Sequence, residues 1–214
     1  MSGPTVAPSG TPEFNLSRLA NKVAIVTGGA NTMGFGAAIA KRFVAEGCRV
    51  IIGDLDGDGA VKVAESLSSS SSDGKQQRAK GVQMDVTSEA GWKAAVEEAV
   101  SAFGRLDIIV NNAGATYRNK PTEQVEEADW MRCFDVNVKS VFWSVKIGVP
   151  VIEKQGQGGS VINISSTGAI RPRPGLVWYN SSKAAVSNVS LPSCASWPCL
   201  VRPLTTIDHR QPKV

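Results

Sequence analysis

Short apolar runs rich in β-branched residues alternate with longer helical patterns from Lys22 onward, and this alternation constrains the fold more than any other feature. The runs lie at 23–26, 49–52, 82–84, 106–110 and 160–164. They are apolar on both sides, which is typical of parallel strands that helices cover on both faces. We therefore predict an α/β fold with a doubly wound parallel sheet.

The segments between these runs have helical periodicity. Their apolar residues recur at helical spacing, as in Ile39 with Phe43 and in Trp92, Val96, Ala99 and Phe103. Gly47 and Gly104 follow as C-terminal stop signals. We interpret these apolar stripes as core-facing surfaces and assign no ligand to them.

The chain has 214 residues, which predicts one domain with appendages. Residues 1–20 are rich in Pro, Ser, Thr and Gly and are expected to form a flexible N-terminal tail. Residues 21–188 would form the α/β domain, and residues 189–214 an atypical C-terminal tail. Within the domain, the polar stretch 66–80 predicts a solvated connection before the third strand.

Charge and cysteine content exclude several classes of function. The net charge of +4 is spread along the chain, so nucleic-acid binding is not expected. Four cysteines without a Cys-x-x-Cys pair, and one histidine, indicate neither a metal site nor a disulfide framework. The uncharged segment Val23–Ala40 is interrupted by Thr, Asn and Gly, so no membrane association is expected. Because no targeting sequence is recognisable at the N-terminus, we predict a cytoplasmic protein.

A glycine-rich loop, Thr27–Gly36, directly follows the first strand and opens the first helix. Glycines at such a position let the backbone approach a pyrophosphate, which the N-terminus of the helix stabilises. An ordinary glycine-containing turn is the alternative interpretation. The position between strand and helix favours a Rossmann-like dinucleotide site.

Asp54 ends the second strand, at the distance from the glycine loop where a carboxylate can accept hydrogen bonds from the adenosine ribose. The alternative is an ordinary aspartate that caps the following turn. A carboxylate there would repel a 2'-phosphate. We therefore expect NAD as the cofactor, with NADP less favoured.

Tyr179 and Lys183 are four residues apart, so they share one face of a helix. An ammonium beside a phenol favours the phenolate, which makes the tyrosine a usable general acid or base. A Tyr-x-x-x-Lys pair alone is also common as a solvated helix pair. Asp85–Val86 follows the third strand and Asn111–Gly114 the fourth. Val136–Val138 lies between the fourth and fifth strands, and Asn163–Ser166 ends the fifth.

In this order and position, the motifs resemble those of the short-chain dehydrogenase/reductase family, from Lys22 to about Asn188. The resemblance implies that Tyr179 is the general acid/base and that Lys183 activates it and holds the nicotinamide ribose. It also implies that Ser166, 13 residues before Tyr179, orients the substrate and that Asn137 supports a water-linked proton path. The implied cofactor contacts are Thr27, Gly28, Gly34, Gly36, Asp54, Asp85, Val86, Asn111, Gly114, Tyr179 and Lys183.

The reaction implied is the interconversion of a secondary alcohol and a carbonyl on a small-molecule substrate. Hydride transfer belongs to NAD, while Tyr179 takes up or returns the hydroxyl proton. Arg171–Gly175, Trp178 and Thr116–Arg118 are expected to border the substrate pocket. Members of the family form homo-oligomers. We do not expect this assembly here, because the C-terminal segment differs from the family pattern.

The sequence departs from the family pattern at two places. Counted back from the first helix, the glycine loop has two additional residues. After Asn188 the family continues its helix and adds strands, whereas prolines at 192, 198, 203 and 212 interrupt this chain. We expect the helix to end early and the last strands to be missing, in either a divergent arm or a tail replaced by a frame or splice change.

Three functions remain open from the sequence. The intact Asn137, Ser166, Tyr179 and Lys183 favour an NAD-dependent oxidoreductase. The longer loop and the altered C-terminal segment favour a catalytically impaired relative that at most binds a nucleotide. A third interpretation is an interaction module that uses the helix Trp130–Val145, which helps form subunit interfaces in the family.

Overall fold

A computed structural model describes residues 18–69, 77–189 and 201–206, with only the backbone of the last segment. Within these residues the elements alternate from strand to helix along most of the chain. The strands are β1 (Val23–Thr27), β2 (Arg49–Asp54), β3 (Ala79–Gln83), β4 (Ile108–Asn111), β5 (Gly159–Ile164) and β6 (Val201–Thr206). The helices are α1 (Phe35–Ala45), α2 (Gly57–Ser69), α3 (Glu89–Phe103), α4 (Glu127–Phe134), α5 (Ser140–Lys154) and α6 (Val177–Val189).

All strand pairs are parallel, and the sheet order is β3-β2-β1-β4-β5-β6. The order runs outward in opposite directions from the neighbouring strands β1 and β4. Ligands of open α/β sheets bind at such a switch point, beyond the carboxyl ends of the strands. The predicted doubly wound, Rossmann-like fold is confirmed.

Helices cover both faces of the sheet, as the two-sided apolar strands require. Along β1, Val23 and Ile25 belong to one buried cluster together with residues of α3 and α5. The alternating residues Ala24 and Val26 belong to the other cluster, with residues of α1 and α2. Alternate side chains of a strand point to opposite faces, so one short run contributes to both cores.

The third strand lies earlier than the sequence predicts. It spans Ala79–Gln83 rather than residues 82–84, because the whole segment pairs with β2 from Val50 to Asp54. Residues 77–80, expected in the solvated connection, therefore lead into and begin the strand. As an edge strand, β3 needs no continuous apolar run.

The expectation that the sheet has no strand after α6 is wrong. β6 pairs with the full length of β5, from Gly159 opposite Val201 to Ile164 opposite Thr206. The outer edge of β5 carries backbone groups that a further strand satisfies. Pro203 is tolerated because an edge strand leaves every second N–H without a partner in the sheet.

α6 is described as far as Val189, and Pro192 lies outside the described residues, so the expected early end of the helix stays a prediction. Residues 1–17, 70–76, 190–200 and 207–214 lie outside the described residues, so the two terminal tails stay predictions. None of the helices in the described ranges combines the length and the apolar character that crossing a membrane requires.

Candidate active site

The carboxyl ends of β1 and β4 are joined by side chains at the switch point. The Thr27 hydroxyl accepts hydrogen bonds from the backbone N–H groups of Asn112 and Ala113, both at 3.1 Å. In return, the Asn112 amide donates to the carbonyls of Thr27 at 2.8 Å and Gly28 at 3.0 Å. These bonds fix the base of a crevice between the two strands.

The glycine loop brings α1 close against this base. Gly28 has a φ of +68°, and a Cβ on Gly28 would lie 2.8 Å from the Ala113 Cα. A Cβ on Gly36 would lie 2.3 Å from the Gly28 carbonyl oxygen, so only glycine permits this packing of helix on strand. Gly34 is the N-cap of α1 and supplies no side-chain cap, which leaves the helix N-terminus available to an anion. The helix itself begins at Phe35.

A groove of about 630 Å³ runs along this edge of the sheet. Its charged side chains are two carboxylates and one guanidinium, those of Asp54, Asp85 and Arg132. In the described part of the chain, no cluster of His, Cys, Asp or Glu is arranged to hold a metal ion. The residues lining the groove are Gly28, Asn31, Gly34, Asp54, Leu55, Met84, Asp85, Val86, Thr87, Asn112, Ala113, Gly114, Arg132 and Val136.

Asp54 connects the glycine loop to the end of β2. One carboxylate oxygen accepts from the Ala30 N–H at 3.0 Å, and the other accepts from the Asp56 N–H at 3.2 Å. Asp54 thus caps the following turn, as the alternative interpretation expects, and it also lines the groove. Each oxygen keeps a further lone pair that a ribose hydroxyl could use.

Asp85 is also engaged in a local turn. One of its carboxylate oxygens accepts from the N–H and the hydroxyl of Thr87, each at 2.8 Å. The Thr87 carbonyl in turn accepts from the Trp143 indole N–H at 3.1 Å. The end of β3 is thereby tied to α5, on the same side of the groove.

Lys183 has the most strongly shifted pKa of the site. The residue belongs to α6 and is 5% exposed. The ammonium donates to the Ile164 carbonyl at 2.9 Å, at the end of β5. Burial lowers the pKa of Lys183 from 10.5 to about 8.

Asn137 lies in a π-helical turn, Asp135–Lys139, between α4 and α5. Its amide oxygen accepts from the Ala115 N–H at 2.9 Å. Its amide nitrogen donates to the Ala115 carbonyl and to the Ser182 hydroxyl, both at 2.9 Å. π-Helical turns are frequent at functional sites, and this one joins the loop after β4 to α6.

The two serines after β5 have different environments. Ser165 donates to the Lys183 carbonyl at 3.0 Å, and its hydroxyl lies 2.6 Å from that of Ser187. Ser166 accepts from the Gly168 N–H at 3.1 Å, which leaves its own proton to donate. This difference favours Ser166 as the serine that meets a substrate.

Tyr179 is half-buried on α6, one turn before Lys183 and on the same face of the helix. The N–H of the preceding residue, Trp178, donates to the Tyr117 hydroxyl at 3.1 Å. Lys183 and Asn137 meet on the other side of Gly114, where a Cβ would lie 3.3 Å from the Lys183 Nζ and 3.2 Å from the Asn137 Oδ1. Gly114 also lines the groove, so these two residues lie directly behind its lining.

The structure separates the predicted cofactor residues into two groups. Gly28, Gly34, Asp54, Asp85, Val86 and Gly114 line the groove, whereas Thr27, Gly36, Asn111, Tyr179 and Lys183 do not. The Asn111 amide donates to the Ser144 hydroxyl at 2.9 Å and to Asn163 at 2.8 Å, inside the protein. Its side chain therefore supports β4, and the neighbouring Asn112 lies at the crevice.

Sequence reasoning missed Asn112, Ser182 and Arg132 as residues of the site. Asn112 and Ser182 stand inside motifs that the sequence contains, but their individual contacts needed the fold. Arg132 lies one helical turn before Val136, and both residues line the groove. The sequence could have indicated this residue, because Arg132 precedes the Asn137 motif by about one helical turn.

The chain matches the family model described as short chain dehydrogenase over residues 22–192. The 4-formylbenzenesulfonate dehydrogenase of Comamonas testosteroni is 45% identical, over 80% of this chain and 65% of that protein. The NADP-dependent (R)-specific alcohol dehydrogenase of Lentilactobacillus kefiri is 38% identical, over 81% of this chain and 65% of that protein. The matched part of the chain thus spans slightly less than two thirds of these relatives.

A solved structure supports the same relationship. The 3-ketoacyl-(acyl-carrier-protein) reductase from Brucella melitensis, complexed with NADH, superposes with a TM-score of 0.80 and 37% sequence identity. The superposition covers 88% of this chain and 76% of the reductase.

Proposed function

The chain belongs to the short-chain dehydrogenase family, and from this premise we propose that it is an NAD-dependent oxidoreductase that interconverts a secondary alcohol and a carbonyl compound. One observation carries the proposal: Gly114, which lines the groove, lies against Lys183 and Asn137. A dinucleotide in the groove would therefore bring its reactive end to the residues that handle protons.

The residues of the groove fit a dinucleotide. Gly28 and Gly34 line the groove without side chains, so the backbone is open where a pyrophosphate would approach. The uncapped N-terminus of α1 offers N–H donors, and Arg132 supplies a positive charge. Asp54 lies at the β2 end, where it would accept from the ribose hydroxyls.

The bound nicotinamide supplies the hydride chemistry. Tyr179 is proposed as the group that accepts the hydroxyl proton during oxidation and returns it during reduction. Lys183, one turn away, would stabilise the phenolate and hold the nicotinamide ribose. Ser166 would donate its proton to the substrate oxygen, because its acceptor side is already occupied by Gly168.

Asn137 has a different place in the proposed mechanism. Both ends of its amide are held by Ala115 and Ser182, so its position relative to α6 is fixed. A water in contact with Lys183 at this point would complete a path for the proton away from Tyr179. The proposed role of Asn137 is thus to hold the lysine end of this path.

The preference for NAD over NADP rests on Asp54. Its carboxylate would repel the negatively charged 2'-phosphate of NADP, which would weaken the binding of NADP. The NADP-dependent relative from Lentilactobacillus kefiri and the NADH-bound reductase from Brucella melitensis show that both cofactors occur among similar proteins. Charge at this one position is therefore proposed as the determinant in this chain.

Cofactor binding and turnover test the proposal together. NAD and NADP are titrated into the full chain by calorimetry, and NADH formation is then followed with the secondary alcohols 1-phenylethanol and 2-butanol. We expect tighter binding of NAD and turnover of at least one probe.

Tyr179→Phe is the matched control, since it removes the hydroxyl and keeps the ring. Loss of a general acid/base lowers the rate by about 10² to 10⁴, while NAD affinity should change little. Tight NAD binding without turnover of any probe would support the catalytically impaired alternative. Absence of binding to either cofactor would contradict the proposal.

A further inference from the structure

The chain contains two tyrosines, and the fold brings both to the start of the same helix. Tyr179 lies in the first turn of α6. Tyr117 comes from the loop after β4, is 7% exposed, and accepts the Trp178 N–H at 3.1 Å. The second tyrosine thus contacts the backbone immediately before the first.

The contact occurs where the helix most needs a partner. The first N–H groups of an α-helix have no acceptor within the helix. Side-chain oxygens that accept these protons fix the first turn, as N-cap residues do. Here the phenol oxygen of Tyr117 performs that function for the N–H of Trp178.

Tyr117 is itself held in a loop that is bonded on both sides. Ala115 is held at its N–H and its carbonyl by Asn137. Further along, the Asn119 amide donates to the Pro174 carbonyl at 2.8 Å, and the Lys120 N–H donates to the Gly175 carbonyl at 3.2 Å. The Tyr117 hydroxyl is therefore a fixed point for the entry of α6.

We propose that Tyr117 is a positioning residue that fixes the first turn of α6 and so places the Tyr179 phenol relative to Lys183 and the substrate. The catalytic consequence rests on the function proposed above, whereas the structural coupling of the two tyrosines does not. Tyr117 acts through the backbone of Trp178 and touches neither cofactor nor substrate in this role.

Carbon-13 NMR of the tyrosine Cζ atoms tests the coupling without cofactor or turnover. The wild-type chain gives two signals, which Tyr179→Phe and Tyr117→Phe assign, since each variant retains one tyrosine. We expect the Tyr179 signal in Tyr117→Phe to shift or broaden relative to the wild type. An unchanged Tyr179 signal would overturn the proposal.

Asn119→Ala is the matched control in the same loop. It removes the bond to Pro174 and leaves the Tyr117 hydroxyl in place. The Tyr179 signal should stay at its wild-type position in this variant. An equal displacement in both variants would show a general effect of the loop and would also overturn the proposal.

Kinetics with NAD and 1-phenylethanol provide the second readout. Because a small misplacement of a reacting group is costly, we expect Tyr117→Phe to lower kcat by about tenfold, with both KM values within about twofold of the wild type. A raised KM for the alcohol with an unchanged kcat would mean that the hydroxyl contacts the substrate directly, which contradicts the positioning role.

Amide hydrogen exchange in the wild-type chain keeps the test independent of any variant's folding. The Trp178 N–H should be protected although it lies in the first helical turn, because Tyr117 accepts it. Exchange as fast as that of an unbonded surface amide would overturn the proposal. Where no probe alcohol is oxidised, the NMR and exchange results still decide the inference separately from the proposed function.

Discussion

The ammonium of Lys183 is bonded to the carbonyl of Ile164 at 2.9 Å inside the protein, with no carboxylate paired to it among the described residues. The bond connects α6 to the end of β5 and places a charge in a poorly solvated position. Burial accordingly lowers the pKa of Lys183 to about 8. This position serves the proposed chemistry and should reduce the stability of the fold.

Replacing Lys183 by Met should therefore stabilise the chain at pH 7. A pKa lowered from 10.5 to about 8 corresponds to about 3 kcal/mol of unfavourable charging in the folded state. Loss of the bond to Ile164 offsets about 1 kcal/mol of the gain. We expect a net increase of about 2 kcal/mol in the free energy of unfolding, measured by urea denaturation.

The pH dependence of the free energy of unfolding tests independently whether the charged Lys183 destabilises the fold. Between pH 8 and 10.5 the unfolded state binds more protons at this lysine than the folded state does, so wild-type stability from this group rises with pH. Below pH 8 the lysine is charged in both states, so the full destabilisation by the buried charge is present. The difference between Lys183→Met and the wild type should shrink as pH rises through this window, and a constant difference would contradict the explanation.

The two serines after β5 should respond oppositely to alanine. Ser165→Ala removes contacts with Lys183 and Ser187 and should lower the free energy of unfolding by about 1 to 2 kcal/mol, with nearly unchanged kcat. Ser166→Ala removes the proposed substrate donor and should lower kcat by about 10² with a smaller loss of stability. The pair is measured by denaturation and by turnover of 1-phenylethanol, each variant serving as the control for the other. A larger loss of kcat in Ser165→Ala would reverse the assignment.

Asp54 should affect both cofactor choice and the glycine loop. Asp54→Asn removes the charge but keeps an oxygen that can accept the Ala30 N–H, so the ratio of NADP to NAD affinity should rise by about tenfold. Asp54→Ala also leaves the Ala30 N–H without its partner. We expect it to weaken binding of both cofactors, as measured by calorimetry. Equal gains in NADP affinity in both variants would show that the loop does not depend on this contact.

The sequence predicted the central strands correctly because helices bury them on both faces. β1, β2, β4 and β5 are read directly from their apolar runs. The two misjudged strands, β3 and β6, are the edges of the sheet. An edge strand carries polar residues such as Lys80 and tolerates Pro203, so an apolar run is a poor signal for it.

The candidate site could be predicted as a set of motifs, but not side chain by side chain. Asn111 and Asn112 are neighbours in one motif, yet they point to opposite sides of the strand end. One bonds to Ser144 inside the protein, and the other holds the Thr27 carbonyl at the crevice. Which of the two faces the ligand depends on strand register and helix packing, which the motif does not contain.

Arg132 should be needed for the phosphates of a nucleotide. The other charged residues that line the groove are Asp54 and Asp85, whose charge opposes a phosphate. The Arg132 side chain is exposed, and its guanidinium is in no ion pair within the described ranges. It is therefore available to pair with an incoming anion.

Arg132→Gln should therefore weaken binding of ADP by about five- to tenfold, since hydrogen bonds to a charged group are stronger than neutral ones and solvent screens an exposed arginine. Binding of adenosine, which carries no phosphate, should not change. Lys154→Gln is the matched control, because it removes one positive charge from the end of α5, away from the groove. Calorimetric titrations of adenosine, AMP and ADP at two salt concentrations measure the effect, and the ADP affinity of Arg132→Gln should depend less on salt than that of the wild type. Equal weakening of adenosine and ADP would mean that Arg132 packs on the base and does not pair with the phosphates.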